Sequence, residues 1–204
     1  MADAATQPPV EIRPIEPDDK QALREGFERL SERSRYRRFL APHGTLSAEE
    51  LRYFTEVDHH DHEALVAIDP ESGEGVGVAR YVRLREDPAL AEMAVAVLDD
   101  WQGQGVGSRL VLELAKRARS EGIRGFTALL LAENNEMLGL MRELGDVHVL
   151  ESGLGTVNVT VALPETGLGR IPGLVRALAA GRLTPARRLI RPPSARSRGS
   201  RDSA

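Results

Sequence analysis

The sequence predicts an α/β (α+β) fold, a central, mostly antiparallel mixed sheet of about seven strands flanked by helices. Three observations predict it. Period-two and helical apolar patterns follow one another in the order βααβββαβαββ over residues 10–163. A turn with glycines at 103, 105 and 107 joins the apolar run Met93–Leu98 to the amphipathic run Arg109–Arg119, as a strand, turn and helix would. The stretch Gly125–Leu131 is almost continuously apolar, as a strand covered on both faces requires.

Each element has its own local signal. Val10–Ile15 alternates apolar and polar residues and opens the sheet. Asp18 or Asp19 is placed to cap a helix running to Leu30, with Leu23, Phe27 and Leu30 on its apolar face. Ser31–Leu40 is basic and reads as a short helix or turn, ended by Pro42 and Gly44. Ser47 and Glu50 form a capping box for a helix to Glu56. Ala64–Ile68 and Val76–Arg85 are strands joined by the turn Pro70–Gly75, and Ala91–Leu98 is the strand that feeds the glycine turn. Ser108–Ser120 follows as a helix with Leu110, Val111, Leu114 and Ala118 inward. Asn134 caps a further helix closed by Gly145, and Val147–Leu150 with Thr156–Val161 makes a last hairpin.

The glycine turn carries the chemistry. Residues without side chains let backbone N–H groups approach a ligand, and the first amides of a helix lack intrahelical acceptors, so the turn is an anion site. A phosphate-bearing ligand follows. The Gly-Lys-Ser/Thr ending of a nucleoside triphosphate loop is absent, and Gly103, Gly105 and Gly107 miss the dinucleotide spacing G-x-G-x-x-G. Gln102, Gly105 and Gly107 instead match Q/R-x-x-G-x-G/A, the acyl-CoA signature of the GNAT N-acyltransferases, and Asn134 stands where that family has an asparagine after the next strand. The chain therefore resembles a GNAT protein from about Val10 to Leu163. Arg33–Phe39, Glu56–His62 and Ala91–Val97 further resemble the catalytic domain of bacterial Pat-type protein lysine acetyltransferases.

The resemblance implies a GNAT fold whose sheet splays between its fourth and fifth strands, with a bulge in the fourth. It implies acetyl-CoA as co-substrate and transfer of acetyl to an amine by direct attack. Glu92, ten residues before Gln102, takes the position of the general base, and its apolar neighbours Ala91, Met93 and Ala94 should raise its pKa. Backbone groups of Val95 and Val97 would meet the pantetheine and the thioester oxygen. The N–H groups of Gln104, Gly105, Val106, Gly107 and Ser108 would hold the pyrophosphate, and Gln102, Gly103 and Asn134 complete the cofactor set. Two departures stand out. The family often has a basic residue at Gln104, which leaves Arg109 as a candidate phosphate cation, and a tyrosine acid expected seven residues after Asn134 is replaced by Met141. The acceptor implied is a protein lysine, with a small-molecule amine or a non-catalytic CoA-sensing module as alternatives.

Composition narrows the remaining classes. The chain has 204 residues, 41% hydrophobic and 28% charged, as one soluble domain with extensions would have. The absence of cysteine excludes disulfides and thiolate chemistry. No leader or spanning segment is evident, so a cytoplasmic protein without a membrane partner is expected. Asp58-His59-His60-Asp61-His62 resembles metal-ligand material but reads as a solvated loop, and no metal is expected. Leu46, Leu51, Tyr53 and Phe54 are either acceptor-pocket walls or plain core. Residues 164–204 carry nine arginines against Glu165 and Asp202, a surplus of +7 that leaves −11 for residues 1–163 within the net −4. That tail, and residues 1–9, are expected to be disordered. Without interleaved aromatics the tail favours no nucleic-acid partner, and a homodimer stays open.

Overall fold

A computed structural model describes residues 9–153 and 155–164. The expected disorder of the first residues and of the basic tail lies outside them, apart from Pro9 and Pro164. Seven strands form one sheet in the order β1-β2-β3-β4-β5-β7-β6. They are β1 (Glu11–Pro14), β2 (His62–Ile68), β3 (Gly75–Arg83), β4 (Leu90–Val97), β5 (Gly125–Leu131), β6 (Val147–Gly153) and β7 (Thr156–Ala162). Five helices accompany them: α1 (Lys20–Arg29), α2 (Glu32–Phe39), α3 (Ala48–Thr55), α4 (Val106–Ser120) and α5 (Asn135–Leu144). All pairs are antiparallel except β4 with β5. The predicted architecture is the observed one, and the basic segment after Leu30 is resolved as a helix.

Side-chain alternation divides the sheet into two faces. Leu65, Ala79, Tyr81, Ala91 and Met93 are buried, and α4 lays Leu110, Val111, Leu114 and Ala118 into the same core. The opposite face presents His62, Arg80, Glu92, Ala94 and Ala96, which the register places side by side: Ala64↔Arg80, Arg80↔Ala94 and Val82↔Glu92. The segment α1–α3 covers that face, with Phe27, Leu46 and Leu51 buried.

Several local expectations need correction. Asp19 does not cap α1 with its side chain. Its carboxylate accepts from Arg13 at 2.7 and 2.8 Å and from the Glu16 N–H at 2.7 Å, so it closes a 3-10 turn over Pro17–Asp19 instead. Helix α2 ends on Leu40, whose left-handed φ of 54° reverses the chain before Pro42 is reached. The bulge expected in β4 is absent, because β3 and β4 pair without a shift from Gly77↔Val97 to Arg83↔Ala91. A register shift falls at Ala67/Ile68 in β2. The capping box of α3 and the Asn134 cap of α5 form as predicted, Asn134 Oδ1 accepting the Met137 N–H at 3.2 Å.

Candidate active site

The sheet opens where β4 leaves β5. Only Leu90↔Gly125, Ala91↔Phe126 and Glu92↔Thr127 are paired; beyond them β4 runs on to Val97 and β5 to Leu131 without partners between them. The wedge is the expected splay, and it becomes a cleft of about 770 Å³ lined by Met93–Val97, the glycine turn, Leu129, Asn134, Met137 and Leu140. Leu98 donates its N–H to Val76 O on β3 at 2.9 Å, so alternation turns the backbone groups of Val97 and Val95 toward the wedge. The Val97 carbonyl is met there by Gln102 Nε2 at 2.9 Å.

At the mouth of the wedge the turn bends through Gly103 (φ 72°) and Gly105 (φ 81°), conformations that glycine adopts without steric cost, before α4 begins. Among the described residues the backbone amides of residues 103–108 have no acceptor, whereas Arg109 N–H already reaches Gly105 O at 3.1 Å. Six unfulfilled donors at a helix N-terminus form an anion cradle. Gln102, Gly103, Gln104, Gly105, Gly107 and Ser108 all line the cleft, while the Val106 side chain is buried beneath it. Gln104 turns its amide back to Asp100 O at 2.5 Å and Ser108 Oγ donates to Glu143 at 3.0 Å. Arg109, the candidate phosphate cation, does not line the cleft, and its Nη2 donates to Val10 O at 2.7 Å, one residue before β1.

Glu92 stands at the apex of the wedge, on the last paired step of β4, just beyond the residues that line the cleft. Solvent reaches the side chain, yet the surrounding walls desolvate the carboxyl and raise its pKa; Arg38 opposes the rise. Met141, where the sequence suggests a missing acid, is completely buried in the core. On α5 it is Asn134, Met137 and Leu140, three residues apart, that face the cleft. Met141 lies two turns beyond Asn134 but packs into the core and does not line the cleft.

Other residues at the site carry no simple motif. Ser34, Arg37 and Arg38 of α2 line the cleft, and Arg37 reaches across it to Glu136 of α5 at 2.6 Å. Asp99 accepts from Ser31 N–H, Ser31 Oγ and Ser34 Oγ at 2.8–2.9 Å, and Gln102 Nε2 also touches Ser34 Oγ at 3.2 Å. The glycine turn and α2 are thus tied together. Arg80 was visible in the sequence as a charge in the middle of the otherwise apolar run of β3. Leu46 and Leu51 are core, Tyr53 is exposed and Phe54 half-buried, so the mixed reading of that segment resolves residue by residue. In the histidine-rich loop, Asp58 accepts the N–H groups of His60, Asp61 and His62 at 2.8–2.9 Å, which folds it as a turn. Among the described residues no group of three or more His, Asp or Glu is placed to hold a metal ion, and no helix is long and apolar enough to cross a membrane.

Comparison with known proteins bears on this geometry. The pattern of the Acetyltransferase (GNAT) family matches residues 22–146. Acetyltransferase Pat of Mycolicibacterium smegmatis is 36% identical over 153 residues, 75% of this chain, and the chain spans only 45% of that relative's length. An acetyltransferase of Pseudomonas aeruginosa is 34% identical over 138 residues, 67% of this chain and 74% of its own. Among solved structures, the GNAT domain of S. lividans PAT superposes with a TM-score of 0.69 at 34% identity, covering 76% of this chain and 90% of that one.

Proposed function

Since the chain belongs to the GNAT acetyltransferase family, an enzyme family that transfers acetyl from acetyl-CoA to an amine, we propose that its acceptor is a lysine side chain of a protein and that Glu92 is the general base. The catalytic unit is placed at residues 10–163. One observation carries the reading: the wedge after Glu92↔Thr127 has unpaired backbone on β4, the unfulfilled amides of residues 103–108 at its end, and a carboxylate of raised pKa at its apex.

Each residue then has a task set by its chemistry. The amides of Gly103–Ser108 hold the pyrophosphate, their number compensating for the diversion of Gln104 and Arg109. Gln102 fixes the turn by bonding to the Val97 carbonyl. The free edge of β4 pairs with the amide groups of the pantetheine, and the Val95 N–H donates to the thioester oxygen as negative charge gathers there. A preorganised donor in that position is worth on the order of 3 kcal/mol of barrier. Asn134 orients its side chain from the buried α5 cap. Glu92 takes one proton from the acceptor ammonium, directly or through a water, so that the nitrogen lone pair forms the C–N bond while the C–S bond breaks. Among the described residues no tyrosine lines the cleft, and in this reading the CoA thiolate departs without a phenolic acid. The identities with Pat and with the PAT domain support an acetyltransferase; the lysine as acceptor rests on the resemblance of Arg33–Phe39, Glu56–His62 and Ala91–Val97 to the Pat-type catalytic domain.

Calorimetric titration with acetyl-CoA, together with CoA release in the presence of lysine peptides and small amines, tests the reading. Binding with peptide-dependent release supports it. Release with small amines alone moves the acceptor to a metabolite, and absence of binding refutes the assignment of the glycine turn.

A further inference from the structure

The face of the sheet that carries Glu92 holds two arginines that the catalytic reading does not use. Arg80 projects from the middle of β3 and is 6% exposed. Its Nη2 donates to Phe54 O at 2.8 Å, its guanidinium lies 4.2 Å from the Phe54 ring centroid, and its buried Nη1 has no acceptor. Arg38 descends from α2 with its guanidinium 4.9 Å from the Phe39 ring. Arg38 and Arg80 line a second, mostly apolar cavity of about 150 Å³ behind β4, and Arg38 borders the main cleft as well. Among the described residues neither arginine makes an ion pair, although the chain is acidic overall and ion pairs are common elsewhere on it.

Two cations without a protein anion, one of them buried with a donor unspent, are costly unless something else supplies the charge. Each is destabilised by desolvation, and the nearness of Arg38 adds to the depression of Arg80 to about 9. Glu92 is the carboxylate whose field acts on Arg38, and among the described residues the two form no hydrogen bond or ion pair. An acceptor that brought only an ammonium would add a third cation to this corner. An acceptor with a carboxylate close to its amine would answer both demands, placing the carboxylate on the arginines and the ammonium on Glu92.

We propose that Arg38 and Arg80 form an anion subsite for the acceptor, which carries a carboxylate within a few bonds or one residue of the amine to be acetylated. This rests on the acetyltransferase reading of the same cleft and narrows it. The carboxylate has two sources, the α-carboxylate of a free amino acid or an acidic side chain beside a lysine in a protein.

Matched acceptors test the proposal with the full chain. CoA release is followed with free amino acids against their amides, and with single-lysine peptides flanked by Glu against the same peptides flanked by Gln. Binding of the same probes to the CoA-loaded protein is read by calorimetry. The carboxylate member of one pair should be favoured by about 10- to 100-fold in kcat/KM, the discrimination of a site left with buried unpaired donors when the group is missing. The ratio should fall toward one in Arg38→Gln and Arg80→Gln through KM, and Arg80→Lys should retain part of it. Circular dichroism melting identifies a variant that fails to fold, in which case Arg38→Gln alone decides. Preference among free amino acids names the metabolite source, and preference among peptides names the protein source. Equal binding and turnover within both pairs, or a preference that survives in every folded variant, overturns the subsite. Carboxylate-dependent binding without turnover upholds the subsite and sinks the catalytic reading instead.

Discussion

Replacing Glu92 with glutamine retains the size of the side chain and removes only its capacity to take a proton. A positioned general base contributes about 10²- to 10⁴-fold, and the structure argues against the low end. The carboxyl stands where β4 and β5 part, desolvation holds its pKa above the ordinary carboxylate range, and Arg38 keeps the rise in check. A base of raised pKa drives proton transfer better than an ordinary carboxylate. We expect kcat/KM to fall by about 10³-fold in Glu92→Gln with acetyl-CoA binding retained, measured by CoA release at saturating acceptor and by titration calorimetry. In the parent protein kcat/KM should rise with pH through the raised pKa; in Arg38→Gln that limb should move to higher pH, because the opposing charge is gone. Stability should change in the opposite sense. A carboxyl whose folded pKa is raised contributes stability that is complete below its unfolded pKa and is lost as pH rises through the folded one. Glutamine mimics the protonated form, so the variant should melt higher than the parent at pH 7 and equally near pH 4. A loss of less than about threefold, with an unchanged pH profile, would refute Glu92 as base.

Four further outcomes follow from the packing. Gly105→Ala places a side chain at φ 81°, which costs about 1 kcal/mol of stability, and weakens acetyl-CoA binding by crowding the amides, as denaturation and calorimetry would show. Met141→Tyr, which restores the sequence position of a phenolic acid, should give no gain in CoA release and should destabilise by about 1–3 kcal/mol in urea, since position 141 is core. Arg117→Ala should cost about 2 kcal/mol, because Glu63, 1% exposed, keeps only the His59 ring nitrogen at 2.7 Å and the Ala64 N–H at 2.9 Å when the 3.0 Å contact to Arg117 is lost. His62 is pushed down to about 4 by burial and by Arg80, so its folded form resists protonation; melting temperature should fall from pH 6.5 toward 4, and His62→Asn should flatten that decline.

The elements were legible because each has a local cause. The capping box of Ser47 and Glu50, the Asn134 cap and the glycine turn all act within four residues of themselves. The cofactor cleft was legible for the same reason, since its donors are consecutive amides. What the sequence hid depends on register or on distant partners. Asp19 looked like a cap until Arg13 claimed it, Arg109 looked like a phosphate ligand until Val10 claimed it, and Met141 looked like a vacant acid position until it was found buried in the core. Arg38 and Arg80 are 42 positions apart and meet only because α2 crosses the face on which β3 and β4 align Arg80 with Ala94.

The three-step pairing of β4 with β5 has a thermodynamic consequence for the whole molecule. The sheet is two slabs, β1–β4 and β5–β7–β6, sewn together by a seam less than half the length of its neighbours. Such a seam is the natural boundary between cooperative units, so amide exchange should be fastest along its free edges and the two slabs should differ in protection. On the proposed reading the pantetheine serves as the absent stitch, and cofactor at a hundred times its Kd would add about 2.7 kcal/mol to folding. A cell short of acetyl-CoA would then hold this chain closer to unfolding, so its lifetime would follow the supply of the acetyl donor.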